Sequence, residues 1–173
     1  CWNRNGHGSL DVVEAVTRSC DVFFYEVARR TGIDAIAAMA RRFGLGSLIG
    51  HDLPNEDPGL IPTRDWKRAV LGEPWHRGET LISGIGQGYL LTTPVQLAAM
   101  TAEIANGGHR VEPHLTRAIG TLEVPESEAS MAAPDLGIST AYIQMMRRAM
   151  DQVVNSQAGT AHRAAIKEEG FEM

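Results

Sequence analysis

The chain has little of several things, and each shortage excludes a class. Only two of its 173 residues are cysteine, Cys1 and Cys20. That is too few for a disulfide-built scaffold, although it leaves room for one bridge or a shared metal. Lysine is scarcer than the 16 basic residues suggest, because Lys67 and Lys167 are the only two and the rest are arginine. The net charge of -5 and the dispersal of arginines singly or in pairs such as Arg29-Arg30, Arg41-Arg42 and Arg147-Arg148 leave no nucleic-acid footprint. No window approaches the roughly 20 apolar residues of a membrane span, and no charged start followed by an apolar stretch marks a signal peptide. With 43% hydrophobic and 21% charged residues the composition is that of a globular chain. It begins at Cys1 and ends on Phe171-Glu172-Met173 without a polar tail, so a piece of a longer protein is expected.

Hydrophobic period predicts a mainly helical chain. Helices are expected over Leu10 to Arg18, Val22 to about Arg30 with Asp21 as its cap, and from Asp34 with Ile36, Met39, Ala40 and Phe43 on one face. The latter two are expected to form an antiparallel pair. Residues 47 to 63 read as a loop, followed by a short helix from Arg64 to about Leu71. Thr93-Pro94-Val95-Gln96 is the clearest helix start, with a Thr-x-x-Gln capping box and proline in the first turn. Leu97, Met100 and Ile104 are the expected apolar face, and Asn106-Gly107-Gly108 the stop. Residues 109 to 119 read as extended and 121 to 138 as an acidic surface insertion. A last helix from Ser139 should turn Ile143, Met146, Met150 and Val153 or Val154 to the core.

The glycines of Gly84-x-Gly86-x-Gly88 match neither the dinucleotide fingerprint nor the lysine-bearing phosphate loop. They let backbone pass close to something, either a substrate wall or a packed helix. Cys1, His7 and Cys20 supply two soft ligands and one borderline ligand suited to Zn²⁺, which usually takes a fourth. A Cys1–Cys20 disulfide, or a buried free Cys20 with an unrelated His7, are the competing readings. His51, His76, His109, His114 and His162 carry no assignment.

Ser19-Cys20-Asp21-Val22-Phe23-Phe24-Tyr25, Gly84-Ile85-Gly86-Gln87-Gly88-Tyr89 and Thr92-Thr93-Pro94-Val95-Gln96-Leu97 together resemble the transpeptidase domain of elongation-type class B penicillin-binding proteins, the penicillin-binding protein 2 group. Phe43-Gly44-Leu45-Gly46, Pro62-Thr63-Arg64-Asp65-Trp66-Lys67 and Ala105-Asn106-Gly107-Gly108 fall in that family's order. The resemblance spans nearly the whole chain, so residues 1–173 are expected to be a partial transpeptidase domain. It implies a fragment of the α/β fold shared with serine β-lactamases, comprising the helical lobe plus one or few strands.

That family carries three signatures, Ser-x-x-Lys, Ser-x-Asn or Ser-x-Asp, and Lys-Thr-Gly or Lys-Ser-Gly. Ser19-Cys20-Asp21 matches the second. The resemblance implies that the Ser19 hydroxyl passes a proton between the nucleophile's lysine and the leaving amine. Asp21 would bond the substrate amide and orient neighbouring lysines. The bland reading makes Asp21 a helix cap and Ser19 a turn residue. Neither lysine lies three residues after a serine, and no Lys-Thr-Gly occurs, so the chain alone is expected to be inactive. Ala158-Gly159-Thr160-Ala161 mimics the end of the third signature but has Gln157 before it.

The resemblance further implies serine acyl transfer on peptidoglycan stem peptides, β-lactams as substrate mimics, a glycan polymerase partner, and a periplasmic domain of an inner-membrane-anchored protein. Some members carry a metal site beside the second signature, with a carboxylate where Cys1 stands. A non-catalytic, zinc-stabilised helical module and a β-lactam sensor or hydrolase are the rival readings.

Overall fold

A computed structural model describes the whole chain except residues 51, 53, 117, 121, 124–134 and 167–173. Seven α-helices lie among the described residues: α1 (Val12–Thr17), α2 (Asp21–Thr31), α3 (Ile33–Arg42), α4 (Arg64–Leu71), α5 (Arg77–Ser83), α6 (Pro94–Ala105) and α7 (Thr140–Asn155). One antiparallel pair, β1 (Ala118–Ile119) and β2 (Leu122–Glu123), and a 3₁₀ turn (His162–Ala164) complete them. The mainly helical expectation holds.

Local chemistry sets the helix starts. Asp11 caps α1 by accepting from the Glu14 amide at 2.8 Å while Glu14 returns a bond to the Asp11 amide at 3.0 Å. Thr63 caps α4, and Thr93 with Gln96 closes the expected capping box of α6. Each such cap stabilises its helix by about 1 kcal/mol. Two expected caps are different. Cys20 occupies the N-cap position of α2 and Asp21 is already its first residue, because the Cys20 amide turns back to the Ala15 carbonyl at 2.9 Å. Asp34 sits in the first turn of α3, where its carboxylate meets Arg64 at 3.2 Å.

The packing departs from the expected faces on α6. Its buried residues are Gln96, Ala99 and Glu103, whereas Leu97 is 44% exposed. Gln96 tolerates burial because every polar atom is used: Nε2 donates to the Ser47 and Pro58 carbonyls at 2.8 and 2.9 Å, and Oε1 accepts from the Thr93 amide. It thereby ties the 47–63 loop to α6. Met100 does face inward, against a cluster of Ala37, Leu45 and Ile61. Met39, expected inside on α3, is 42% exposed, and Ile33 and Ala37 take the buried stripe instead.

Helix α7 packs along α1 and buries Ile143 and Ala149, with Met146, Met150, Val153 and Val154 half-buried, close to the expected face. Helix α2 contacts α3, but its more extensive contact is with α5, an element the hydrophobic pattern does not reveal. Of the stretch expected as a surface insertion, residues 121 and 124–134 lie outside the described residues. At its end Leu136 is buried, and Arg42 Nε donates to its carbonyl at 3.1 Å.

The glycine stretch resolves in favour of close packing. A Cβ on Gly84 would overlap the Cβ of Ala28 on α2, and Gly86 and Gly88 then turn the chain with φ of +76° and +83°. Nearby, Lys67 is buried with its Nζ 2.5 Å from Glu79 and 3.4 Å from Glu73, which answers its charge inside the α4–α5 junction.

Candidate functional site

The Ser19-Cys20-Asp21 turn joins α1 to α2. Ser19 has φ +49°, a left-handed conformation that a residue with a Cβ adopts at a cost of about 1–3 kcal/mol. It is held there from three sides. Its amide bonds the Val16 carbonyl at 3.0 Å, the Trp2 indole donates to the Arg18 carbonyl at 2.9 Å, and its Oγ lies 2.8 Å from Thr160 Oγ1. The hydroxyl opens onto a cleft of about 660 Å³ lined by Trp2, Gln157, Gly159, Thr160, His162 and Arg163. Asp21, two residues on and the first of α2, is partly exposed, with Oδ2 3.5 Å from the backbone nitrogen of Cys1.

Thr160 is the residue sequence reasoning set aside. Gly159 lets the chain fold tightly back on the end of α7, because a Cβ there would overlap the Val153 and Gln152 carbonyls. The Thr160 amide then bonds the Thr17 carbonyl at 3.2 Å, and the Ala161 amide bonds Val153 at 3.0 Å. The signal for this was the glycine; the partner, 141 residues away, was not legible.

Cys1, His7 and Cys20 also converge. One ligand atom from each lies within 4.8 Å of the others. Cys1 Sγ is 3.4 Å from His7 Nδ1, both cysteines are free thiols, and His7 Nε2 is buried without a hydrogen-bond partner. Ligands of a tetrahedral zinc with bonds of about 2.0–2.3 Å stand roughly 3.4–3.8 Å apart, so this donor set fits a zinc ion with little movement. A disulfide would require the sulfurs to close to about 2.05 Å. Of the unassigned histidines, His162 lines the Ser19 cleft with Nδ1 3.2 Å from the Val154 carbonyl, and His51 lies outside the described residues.

The arrangement is an exposed, backbone-strained serine on a short inter-helix turn and a carboxylate on the first residue of the helix that follows, beside an open cleft. Residues 1–173 match the family described as the penicillin binding protein transpeptidase domain. The chain belongs to that family.

The transpeptidase domain is 38% identical over 164 residues to the peptidoglycan D,D-transpeptidase MrdA of Salmonella typhimurium, covering 94% of this chain and 26% of that protein. It thus spans about a quarter of the length of that relative. Among solved structures it is similar to Pseudomonas aeruginosa PBP2 in complex with WCK 5153, with a TM-score of 0.85 and 40% identity over 96% of this chain and 38% of that one. It is likewise similar to Helicobacter pylori PBP2, solved with MreC, with a TM-score of 0.83 and 32% identity over 97% and 30% of the two chains. These likenesses make the described helices part of the transpeptidase fold.

Proposed function

We propose that this chain forms one wall of the active site of a peptidoglycan D,D-transpeptidase of the penicillin-binding protein 2 kind, with Ser19 and Asp21 as its contribution to the chemistry. The observation that carries the reading is the Ser19 hydroxyl, fixed at the mouth of a cleft by a left-handed turn and by Thr160. A hydroxyl so placed both donates and accepts, which is what relaying a proton between an activating amine and a departing amine requires. Asp21 accepts hydrogen bonds only, and therefore receives the amide N–H of a stem peptide or an ammonium group.

The reaction is serine acyl transfer. A serine of the whole protein attacks the D-Ala-D-Ala carbonyl, the C–N bond breaks with D-alanine leaving as the amine, and the amine of a second stem peptide attacks the ester to form the crosslink. No serine of this chain has a lysine three residues on, so the nucleophile is not among these residues. β-Lactams acylate that same nucleophile, and the 173-residue chain by itself is inactive.

Cys1, His7 and Cys20 would supply three ligands to a structural zinc beside the Ser19 turn, anchoring it. Zinc would contribute folding energy there, not chemistry. The whole protein acts on the periplasmic side, anchored in the inner membrane, alongside a glycan polymerase. Among the described residues no helix is long and apolar enough to cross a membrane.

Labelled penicillin tests the reading. The longer protein is expected to acquire one covalent label at a serine outside this chain, and the 173-residue chain none. Stoichiometric labelling of the short chain, or none of the long one, would refute it.

A further inference from the structure

Three helices bring arginines to one cleft well away from Ser19. Arg29 near the end of α2, Arg64 at the start of α4 and Arg77 at the start of α5 line a space of about 430 Å³ together with Gly32, Thr80 and Leu81. Along α2, Arg29 is eight residues beyond Asp21, or about 12 Å at 1.5 Å per residue. The cleft is therefore separate from the one that Ser19 faces.

Its charge is incompletely answered. Arg29 and Arg30 share a single carboxylate, with both Nε atoms on Glu26 at 2.7 and 2.6 Å. Glu26 is held down to about 2 by these two guanidiniums and so stays ionised. Arg64 pairs with Asp34 at 3.2 Å. Arg77 has no ion-pair partner among the described residues. Three guanidiniums line the cavity against the two paired carboxylates, which leaves the charge of Arg77 unanswered at its wall, in a chain whose net charge is -5. Arg29 and Arg64 are about half and two-thirds exposed, so their unused N–H groups are open to a ligand.

Guanidinium forks match oxyanions with two or more acceptor oxygens, and convergence of like charges is relieved by an anion seated among them. Three forks around one space call for an anion with at least three acceptor oxygens, which a phosphate has and a carboxylate lacks. Leu81, partly exposed on the cleft wall, offers apolar contact to whatever the anion is attached to. We propose that this cleft is a binding site for a phosphate monoester, held by Arg29, Arg64 and Arg77 with its organic group against Leu81. The site stands independently of the transpeptidase reading.

Phenyl phosphate and inorganic phosphate are the probes, titrated into the full-length protein at constant ionic strength with the melting temperature and isothermal calorimetry as readouts. Saturable binding is expected for both, tighter for phenyl phosphate because of the ring. Arg77→Ala should weaken it roughly tenfold, since a charge-assisted pair is lost. Arg77 has no partner to leave behind, so the fold should survive. Arg77→Lys keeps the charge but not the fork and should weaken binding roughly threefold. Arg148→Ala, at an exposed residue of α7, should change nothing. Absence of saturable binding, wild-type affinity in both Arg77 variants, or equal weakening by Arg148→Ala would overturn the proposal.

Discussion

The hydroxyls of Ser19 and Thr160 lie 2.8 Å apart across 141 residues of chain. The contact joins the inter-helix turn to the segment that closes α7, and it gives Ser19 a fixed partner at the cleft mouth. In the longer protein, Ser19→Ala should slow acylation by penicillin roughly 10²-fold, the lower range for a proton-transfer group. Thr160→Val should slow it several-fold while Thr160→Ser restores it, because only the hydroxyl matters. Stopped-flow acylation rates check this; unchanged rates in Ser19→Ala would remove Ser19 from the mechanism.

The Cys1, His7 and Cys20 cluster should bind about one zinc per chain in the longer protein. Cys20→Ser is expected to release it and to lower the melting temperature, since the ion binds the folded state. Metal analysis and thermal melts provide the check. Zinc-free protein with a Cys1–Cys20 bridge in mass spectrometry would establish the disulfide instead.

Gly84 has φ −65°, which alanine adopts readily, so backbone entropy alone would favour Gly84→Ala by about 0.4–1 kcal/mol. The overlap with Ala28 opposes this and is larger, about 1–3 kcal/mol for overpacking. A net loss of stability is expected. Melting temperature should fall by several degrees at roughly 2–4 °C per kcal/mol. A melting temperature at or above wild type would show that α2 and α5 can move apart freely.

Glu103 on α6 is buried, and burial pushes its carboxyl above the ordinary value of 4.5 although the Val111 amide at 3.2 Å and Arg110 at 3.8 Å favour the charge. Its Oε2 has no hydrogen-bond partner. A carboxyl raised in the folded state contributes stability that is complete below the unfolded value. That stability is lost as pH rises through the folded value. Glu103→Gln, which cannot ionise, is therefore expected to gain stability over wild type at pH 7.5 and to gain none at pH 4. Urea unfolding at the two pH values measures it. A variant less stable at pH 7.5 would mean that Arg110 outweighs desolvation.

What the sequence determined by itself was local. Thr93, Pro94 and Gln96 specify the start of α6 within one turn, and Thr63 and Gly72 bound α4, because caps and breakers act over three or four residues. Ser19-Cys20-Asp21 was legible as a turn between two helices for the same reason, and the spaced motifs around it placed the family. Helix α5 was not legible, since its seven residues after Pro74 are too few to display a period. The buried stripe of α6 was misread because burial of Gln96 depends on carbonyls of Ser47 and Pro58, which sequence spacing does not bring near. Likewise Thr160 reaches Ser19 through the packing of α1 on α7, while Leu136 reaches Arg42, and Arg29, Arg64 and Arg77 share one cleft, only in the folded chain. Short-range hydrogen bonds are written in neighbouring residues; which distant side chains meet depends on how whole helix faces bury their area together.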